Sequence, residues 1–180
     1  MKRLLTGTAG AIALAGCMTN DAPIGPADEG MAMAAASADI RDSSGRSMGT
    51  ASATQLGDSI RVRIEGLNMP QGVHGAHLHM VGRCDAPGFT SAGDHWNPTG
   101  QRHGKDNPQG MHMGDLPNVM IGTDGRGSIE YTIPGAQVAD GQRPLLDGDG
   151  AAIVIHATAD DYRTDPSGNS GARIACGVLG

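Results

Sequence analysis

Histidine is the residue type in this chain that most clearly points to chemistry. All seven histidines lie between residues 74 and 156, and two of them, His77 and His79, are separated by a single leucine in a strand-like run. Side chains two apart on a β-strand point to the same face, so both imidazoles can reach one metal ion. His156 ends the apolar run 152–155 and can join them only if the two strands pack side by side. These three residues predict a metal site built on strands.

A second group of metal-ligand types lies in the long polar segment 81–117. It contains His95, His103 and His112, with Asp115 three residues further on. Three imidazoles and a carboxylate are the right number and types to close a tetrahedral zinc site, and a filled site would hold such a long loop in place. Because imidazole suits copper as well as zinc, the two groups together predict two metal ions close to each other.

The segments that must position these residues have the character of strands. Aromatic residues make up only 2% of the chain, whereas 29 glycines and 10 prolines divide it into short pieces. Alternating or β-branched runs, which are typical of strands, occur at 51–56, 59–67, 75–80, 127–133 and 151–158. Turn signals separate them, among them the run 147–150 (DGDG), which lacks the bidentate glutamate of a calcium loop. The pattern predicts an all-β domain with a core of small aliphatic side chains.

The N-terminal residues have the organisation of an export signal. Residues 1–16 combine two basic side chains with an apolar stretch too short to span a membrane, and the run 14–17 (LAGC) resembles a bacterial lipobox. We therefore expect a signal peptide at 1–16, a lipid on Cys17, a flexible tether at 17–33 and a folded domain at 34–180. An ordinary secretory signal is the alternative. Met18, in place of an aspartate, favours a periplasmic protein anchored in the outer membrane.

Charge restricts the possible partners and substrates, and the cysteine content predicts a disulfide. The formal charge is −6 and becomes −8 once residues 1–16, which carry two basic and no acidic side chains, are removed. This balance argues against a nucleic-acid partner, and it means that an anionic substrate would need a local positive charge. With Cys17 lipidated, Cys84 and Cys176 remain as a pair, and a disulfide between them is expected in an oxidising compartment.

Several of these segments together resemble the copper/zinc superoxide dismutases, and they occur in that family's order from about residue 38 to the C-terminus. The segments are 75–79 (GAHLH), 91–98 (SAGDHWNP), 103–104 (HG), 112–118 (HMGDLPN), 154–157 (VIHA) and 168–178 (GNSGARIACGV). The bacterial type is indicated by 82–89 (GRCDAPGF), where the cysteine stands closer to the His-x-His strand than in eukaryotic members. The resemblance implies a Greek-key β-sandwich, or flattened barrel, with long metal-binding and electrostatic loops.

Carried over position by position, the resemblance also implies roles for single residues. Copper would be held by His77, His79, His95 and His156, and zinc by His95, His103, His112 and Asp115. His95 would be shared by both metals and Asp160 would orient a histidine on each side. Arg173 would attract the superoxide anion, and Cys84 and Cys176 would tie the long loop to a late strand. His74 matches a family position whose ring usually has a structural role, so the resemblance does not make it a metal ligand.

The activity implied is the disproportionation of superoxide to dioxygen and hydrogen peroxide, with Arg173 and His95 in catalytic roles. The alternative is a non-catalytic copper- or zinc-binding protein, or a metal-delivery protein, on the same fold. Met111 and Met113 flank His112 and offer soft sulfur ligands for copper(I), although methionine more often fills gaps in packing. The sequence leaves open whether the protein is a monomer or a homodimer.

Overall fold

The structure, a computed structural model, describes residues 34–180. The predicted signal peptide, Cys17 and the tether at 17–33 lie outside the described residues. Within residues 34–180, no helix has the length and apolar character needed to cross a membrane.

Eleven strands and one short 3₁₀ turn, Thr90–Ala92, make up the regular structure of the described residues. The strands are β1 (Ala35–Asp42), β2 (Ser47–Leu56), β3 (Ser59–Gly66), β4 (Gly72–His74), β5 (Ala76–His79), β6 (Val119–Ile121), β7 (Gly127–Pro134), β8 (Gln137–Ala139), β9 (Pro144–Leu146), β10 (Ala151–His156) and β11 (Arg173–Leu179).

Seven of these strands form one antiparallel sheet in the order β5-β10-β11-β1-β2-β3-β7. The remaining strands form the small ladders β4-β6 and β8-β9. Since β4 leads directly into β5 and β6 turns back into β7, the β4-β6 ladder joins the two ends of the large sheet. The sheet is therefore curled into the predicted flattened barrel.

Alternation along the strands places the core inside this curled sheet. In β3 the side chains of Ile60, Val62 and Ile64 are buried, whereas the charged residues between them are exposed. Strands β5 and β10 differ, because every residue in them is buried. Their inner face packs in the core and their outer face is covered by the long segment 81–117. A strand covered on both faces can bury polar side chains only if these have partners.

The five strand-like runs predicted from the sequence all coincide with strands, namely β2, β3, β5, β7 and β10. The long segment 81–117 contains no strand, as predicted, and 147–150 is a turn closed by a hydrogen bond from the Gly150 N–H to the Asp147 carbonyl. The predicted disulfide between Cys84 and Cys176 is present, with the two Cα atoms 5.7 Å apart across 92 residues of chain.

Candidate metal centre

Strands β5 and β10 bring three histidines together. The two strands pair so that Val154 lies opposite His77 and Ala152 lies opposite His79. His156 follows at the end of β10, where the pairing with β11 shifts by an irregularity between Ile155 and His156. The ring centroids of His77 and His156 are 4.8 Å apart, and those of His79 and His95 are 4.9 Å apart. His95 comes from the long segment, whose backbone pairs with that of β5 in an isolated antiparallel β-bridge between His95 and His79. The result is a buried cluster of four imidazoles.

Each strand histidine uses one ring nitrogen to fix its orientation. His77 Nε2 lies 2.8 Å from Asp160 Oδ2, His79 Nδ1 lies 2.9 Å from the Gly93 carbonyl, and His156 Nδ1 lies 3.1 Å from the Gly171 carbonyl. Because these partners accept hydrogen bonds, the nitrogens that face them carry the protons.

The opposite ring nitrogens of the same histidines have no partner in the described part of the chain. His77 Nδ1, His79 Nε2 and His156 Nε2 are buried and make no hydrogen bond. Buried polar atoms without partners are costly, and here their lone pairs converge, since one ring nitrogen from each of the four histidines falls within a set spanning 4.8 Å. A metal ion bound by neutral imidazoles would satisfy all of them at once.

The long segment forms a second cluster around the carboxylate of Asp115. Nδ1 of His95, His103 and His112 lie 2.8, 3.0 and 3.1 Å from Asp115 Oδ1, although the His103 contact lacks hydrogen-bond geometry. The other oxygen, Oδ2, accepts hydrogen bonds from the backbone N–H groups of Gly104 and His112 at 2.9 and 3.0 Å. The carboxylate is thus oriented by the backbone, with one oxygen directed at three imidazoles.

The spacing within this second cluster fits a tetrahedral ion. Zinc bonds of 2.0–2.1 Å place neighbouring ligand atoms about 3.3 Å apart. His95 Nδ1 and His112 Nδ1 are 3.3 Å apart. His95 belongs to both clusters. With Nδ1 in this cluster, its other ring nitrogen is left for the four-histidine cluster.

Asp160 connects the two clusters through the outer ring nitrogens of one histidine in each. Its Oδ2 contacts His77 Nε2 at 2.8 Å and its Oδ1 contacts His103 Nε2 at 3.0 Å, so one carboxylate orients a ring in each cluster. Asn118 holds the Asp160 backbone, because its Oδ1 accepts the Asp160 N–H and its Nδ2 donates to the Asp160 carbonyl, at 2.8 and 2.9 Å. The backbone N–H of Asn118 in turn donates to the Tyr162 hydroxyl at 2.8 Å.

Three histidines of the four-histidine cluster differ in protonation from His103 of the second cluster. Burial lowers the pKa of His77 to about 3, of His79 to about 2 and of His156 to about 4, so these rings are neutral at physiological pH. Burial also lowers the pKa of His103, but the adjacent carboxylates of Asp115 and Asp160 outweigh it and raise the value to about 9. Hydrogen bonds with His103, His112 and His95 hold the pKa of Asp115 well below its usual range, against the effect of burial.

A cavity of about 610 Å³ opens onto the four-histidine cluster. His95, His156 and Arg173 are among the residues that line it. The Arg173 guanidinium is fixed by two hydrogen bonds, from Nη1 to the Phe89 carbonyl and from Nη2 to the Gly93 carbonyl, each 2.8 Å long. A positive charge is therefore held at the wall of the cavity that leads to the cluster.

Sequence reasoning did not identify the residues that hold Arg173. Phe89 has a left-handed backbone, with φ of 54°, and its buried ring packs with the disulfide residues Cys84 and Cys176 against β10. The stretch 84–93, which we call the subloop, therefore supports Arg173. The unusual backbone at Phe89 left no signal in the sequence, whereas Asn118 lies inside the segment 112–118 already singled out.

Two other candidates have structural roles. His74 is buried, with Nδ1 2.8 Å from the His156 carbonyl and Nε2 3.0 Å from the Pro70 carbonyl, so neither nitrogen faces the clusters. Met113 packs against the hydrophobic core, as a gap-filling methionine would.

Known proteins resemble this chain in sequence and in fold. The family model for copper/zinc superoxide dismutase (SODC) matches residues 47–179. A Cu-Zn superoxide dismutase of Aquifex aeolicus (strain VF5) is 40% identical over 144 residues, covering 79% of this chain and 85% of its own length. One of Caulobacter vibrioides is 37% identical over 147 residues, covering 80% and 84%. The crystal structure of a double mutant of a SOD-like protein from Bacillus subtilis, 39% identical, has a TM-score of 0.75 and covers 79% of this chain and 95% of that one.

The chain therefore belongs to the copper/zinc superoxide dismutase family. The relatives that cover most of its length support a superoxide dismutase whose metals are copper and zinc.

Proposed function

We propose that the protein disproportionates superoxide at a centre in which His95 is shared by two metals. Copper would be held by His77, His79, His95 and His156, and zinc by His95, His103, His112 and Asp115. The observation that carries the proposal is the double membership of His95, with Nδ1 in the Asp115 cluster and its second nitrogen left for the four-histidine cluster. Unpartnered nitrogens in both clusters support it.

Copper, when bound, supplies the one-electron chemistry by which one superoxide is oxidised to dioxygen and a second is reduced to peroxide. The chain supplies charge, protons and geometry. The guanidinium of Arg173 attracts the anion into the cavity and donates hydrogen bonds to it. The His95 nitrogen that faces the four-histidine cluster is the group that carries one of the two protons needed to form hydrogen peroxide.

Zinc supplies no redox chemistry, and Asp115, one of its proposed ligands, has a positioning role together with Asp160, which is not a ligand. Asp115 and Asp160 hold the rings of His95, His103 and His77 in fixed orientations, so the shared imidazole keeps its place while its other nitrogen exchanges a proton.

The test compares superoxide consumption by the copper- and zinc-loaded protein with that of His156→Ala. Thr132→Ala, on the exposed side of β7, is the matched control. We expect fast, copper-dependent turnover in the wild type and the control, and loss of both copper and turnover in His156→Ala. The single tryptophan, Trp96, lines the same cavity, so quenching of its fluorescence by copper(II) reports binding independently of activity.

The alternative, a metal-binding or metal-delivery protein without turnover, gives a different result in the same experiment. Some relatives are named superoxide dismutase-like proteins. Stoichiometric copper binding by the wild type with no superoxide consumption would favour this alternative and refute the proposed activity.

We further propose that the protein is exported to the periplasm and anchored in the outer membrane by a lipid on Cys17. The support is the basic start, the apolar stretch and the run 14–17 (LAGC). Labelling of the wild type with a fatty-acid analogue, and no labelling of Cys17→Ser, is the expected result. Equal labelling of both proteins, or of neither, would contradict the anchor.

A further inference from the structure

The segment between β7 and β10 forms part of the wall of the metal-centre cavity. Arg143 lies on it, immediately before β9, and lines the cavity together with Arg173. Two side chains of the segment, those of Val138 and Leu145, are buried in the hydrophobic core and anchor it. A hydrogen bond from the Val138 N–H to Gln55 Oε1, 2.7 Å long, fixes it further. Arg143 therefore projects from a supported element.

The conformation of Arg143 is also unusual. Its φ of 57° lies in the left-handed region, which is unfavourable for an arginine, and its Nη1 donates to the Gly135 carbonyl at 3.0 Å. Residues held in such conformations are concentrated at functional sites. The single hydrogen bond directs the side chain and leaves its other guanidinium donors free of protein hydrogen bonds among the described residues.

Among residues 34–180, no carboxylate oxygen lies within 4.0 Å of the Arg143 guanidinium. Within residues 34–180, six arginines lie within 4.0 Å of a carboxylate oxygen, namely Arg41, Arg46, Arg61, Arg63, Arg83 and Arg102. Arg102 lines the same cavity and is paired with Asp165 at 3.8 Å. Arg143 and Arg173 line it too, and neither has such a partner in the part of the chain that the structure describes. Three aspartates, Asp94, Asp147 and Asp165, complete the charged lining.

We infer that Arg143 is a second steering charge, which raises the rate at which the superoxide anion enters the cavity. This inference rests on the proposed function. The formal charge of the chain is −6, so an approaching anion is repelled by the protein as a whole and its entry depends on local positive charge. Arg173 supplies that charge beside the histidine cluster, and Arg143 supplies it on the wall contributed by the β7–β10 segment.

The size of the effect follows from Coulomb's law. For a unit charge about 10 Å from the path of the anion, in water, removing the charge changes the entry rate about twofold and reversing it about fourfold. Such changes are measurable when each encounter leads to reaction. They disappear at high ionic strength, because the screening length falls from about 30 Å at 0.01 M salt to about 3 Å at 1 M.

The experiment measures the second-order rate constant for superoxide consumption by the copper- and zinc-loaded protein between 0.01 and 1 M salt. The variants are Arg143→Gln, Arg143→Glu and Arg143→Lys. Arg126→Gln is the matched control, because it makes the same change in net charge beside a different cleft. Asp147→Asn removes a negative charge from the same cavity wall as Arg143.

At 0.01 M salt we expect Arg143→Gln and Arg143→Glu to lower the rate constant about twofold and fourfold. Arg143→Lys and the control should match the wild type, and Asp147→Asn should raise the rate constant. All variants should converge on the wild type at 1 M salt. Equal rate constants for Arg143→Glu and the wild type at 0.01 M would overturn the inference, as would a loss that persists at 1 M.

A second measurement keeps the inference separate from the proposed activity. The affinity of copper-loaded protein for azide, a small monovalent anion, is followed by visible absorption for the same variants and salt range. If the wild type binds copper but consumes no superoxide, the proposed function fails. The inference about Arg143 then stands only if azide affinity falls about fourfold in Arg143→Glu at low salt and not in Arg126→Gln.

Discussion

Replacing Gly168 by alanine is expected to disturb the metal centre through Asp160. Gly168 has a φ of +64°, and a methyl carbon built on it would overlap Asp160 Oδ1 and lie 2.7 Å from His103 Nε2. The Asp161 N–H donates to the Gly168 carbonyl at 2.8 Å, so the backbone of Gly168 is tied to the same loop as the carboxylate. The methyl group can be accommodated only if Asp160 moves away from His77 and His103.

The cost can be worked out in two parts. A left-handed alanine costs about 1 kcal/mol relative to glycine. Displacing Asp160 weakens two hydrogen bonds to a buried carboxylate, each with a contribution of about 1.5–3 kcal/mol. The metal-free protein should therefore lose about 4–7 kcal/mol in its free energy of unfolding. Its zinc affinity should fall 10- to 100-fold, as is usual when the residue that orients a ligand is lost.

Gly57→Ala is the control that measures the backbone cost without the displacement of Asp160. Gly57 has a φ of +58°, and a methyl carbon there meets no atom of the described residues within 4 Å, so only the backbone cost of about 1 kcal/mol applies. The assays are denaturant unfolding of the metal-free, disulfide-intact proteins and zinc titration against a competing chelator. Unfolding free energies of the two variants within about 1 kcal/mol of each other, with unchanged zinc affinity, would refute the role assigned to Asp160.

Three further predictions concern the disulfide, the protonation of His103 and the anchoring of Arg173. Replacing Cys84 and Cys176 together by serine should lower the free energy of unfolding by roughly 4–5 kcal/mol, from the loss of a 92-residue loop closure, as measured by denaturant unfolding. It should also lower kcat/KM, because the subloop that holds Arg173 is released; an unchanged kcat/KM would contradict that support. Because the pKa of His103 is raised to about 9, zinc binding at pH 7 should displace its proton, whereas that release should fall by half near pH 9 and decline further at higher pH. Calorimetric titration in buffers of different ionisation enthalpy measures the release, and a value independent of pH between 7 and 10 would disprove the protonated state. Arg173→Ala should lower kcat/KM about tenfold at low salt, and Arg173→Lys should lose less, since it keeps the charge but not both hydrogen bonds to the loop carbonyls. Equal losses of kcat/KM in the two variants would argue that the hydrogen-bond geometry of Arg173, and not its charge, determines the rate.

Much of the fold could be predicted because its signals are local. The alternation in β3 and the turn residues at 147–150 depend on neighbours within a few positions, and the structure agrees with both. The spacing of His77 and His79 likewise places both side chains on one face of a strand. The pairing of Cys84 with Cys176 followed from counting cysteines, and it is present.

The residue types of the centre and the all-β class could be predicted before folding was considered, because histidine spacing, glycine content and strand alternation are properties of short segments. What these residues do for one another depends on contacts made in the folded domain. That His156 lies beside His77 depends on the pairing of β10 with β5, two strands separated by more than 70 residues. That the Phe89 carbonyl holds Arg173, and that Arg143 lines the same cavity, depends on loops whose positions are set by the core and the disulfide. Contacts between distant segments are selected by the packing of the whole domain, and no short stretch of sequence contains that information.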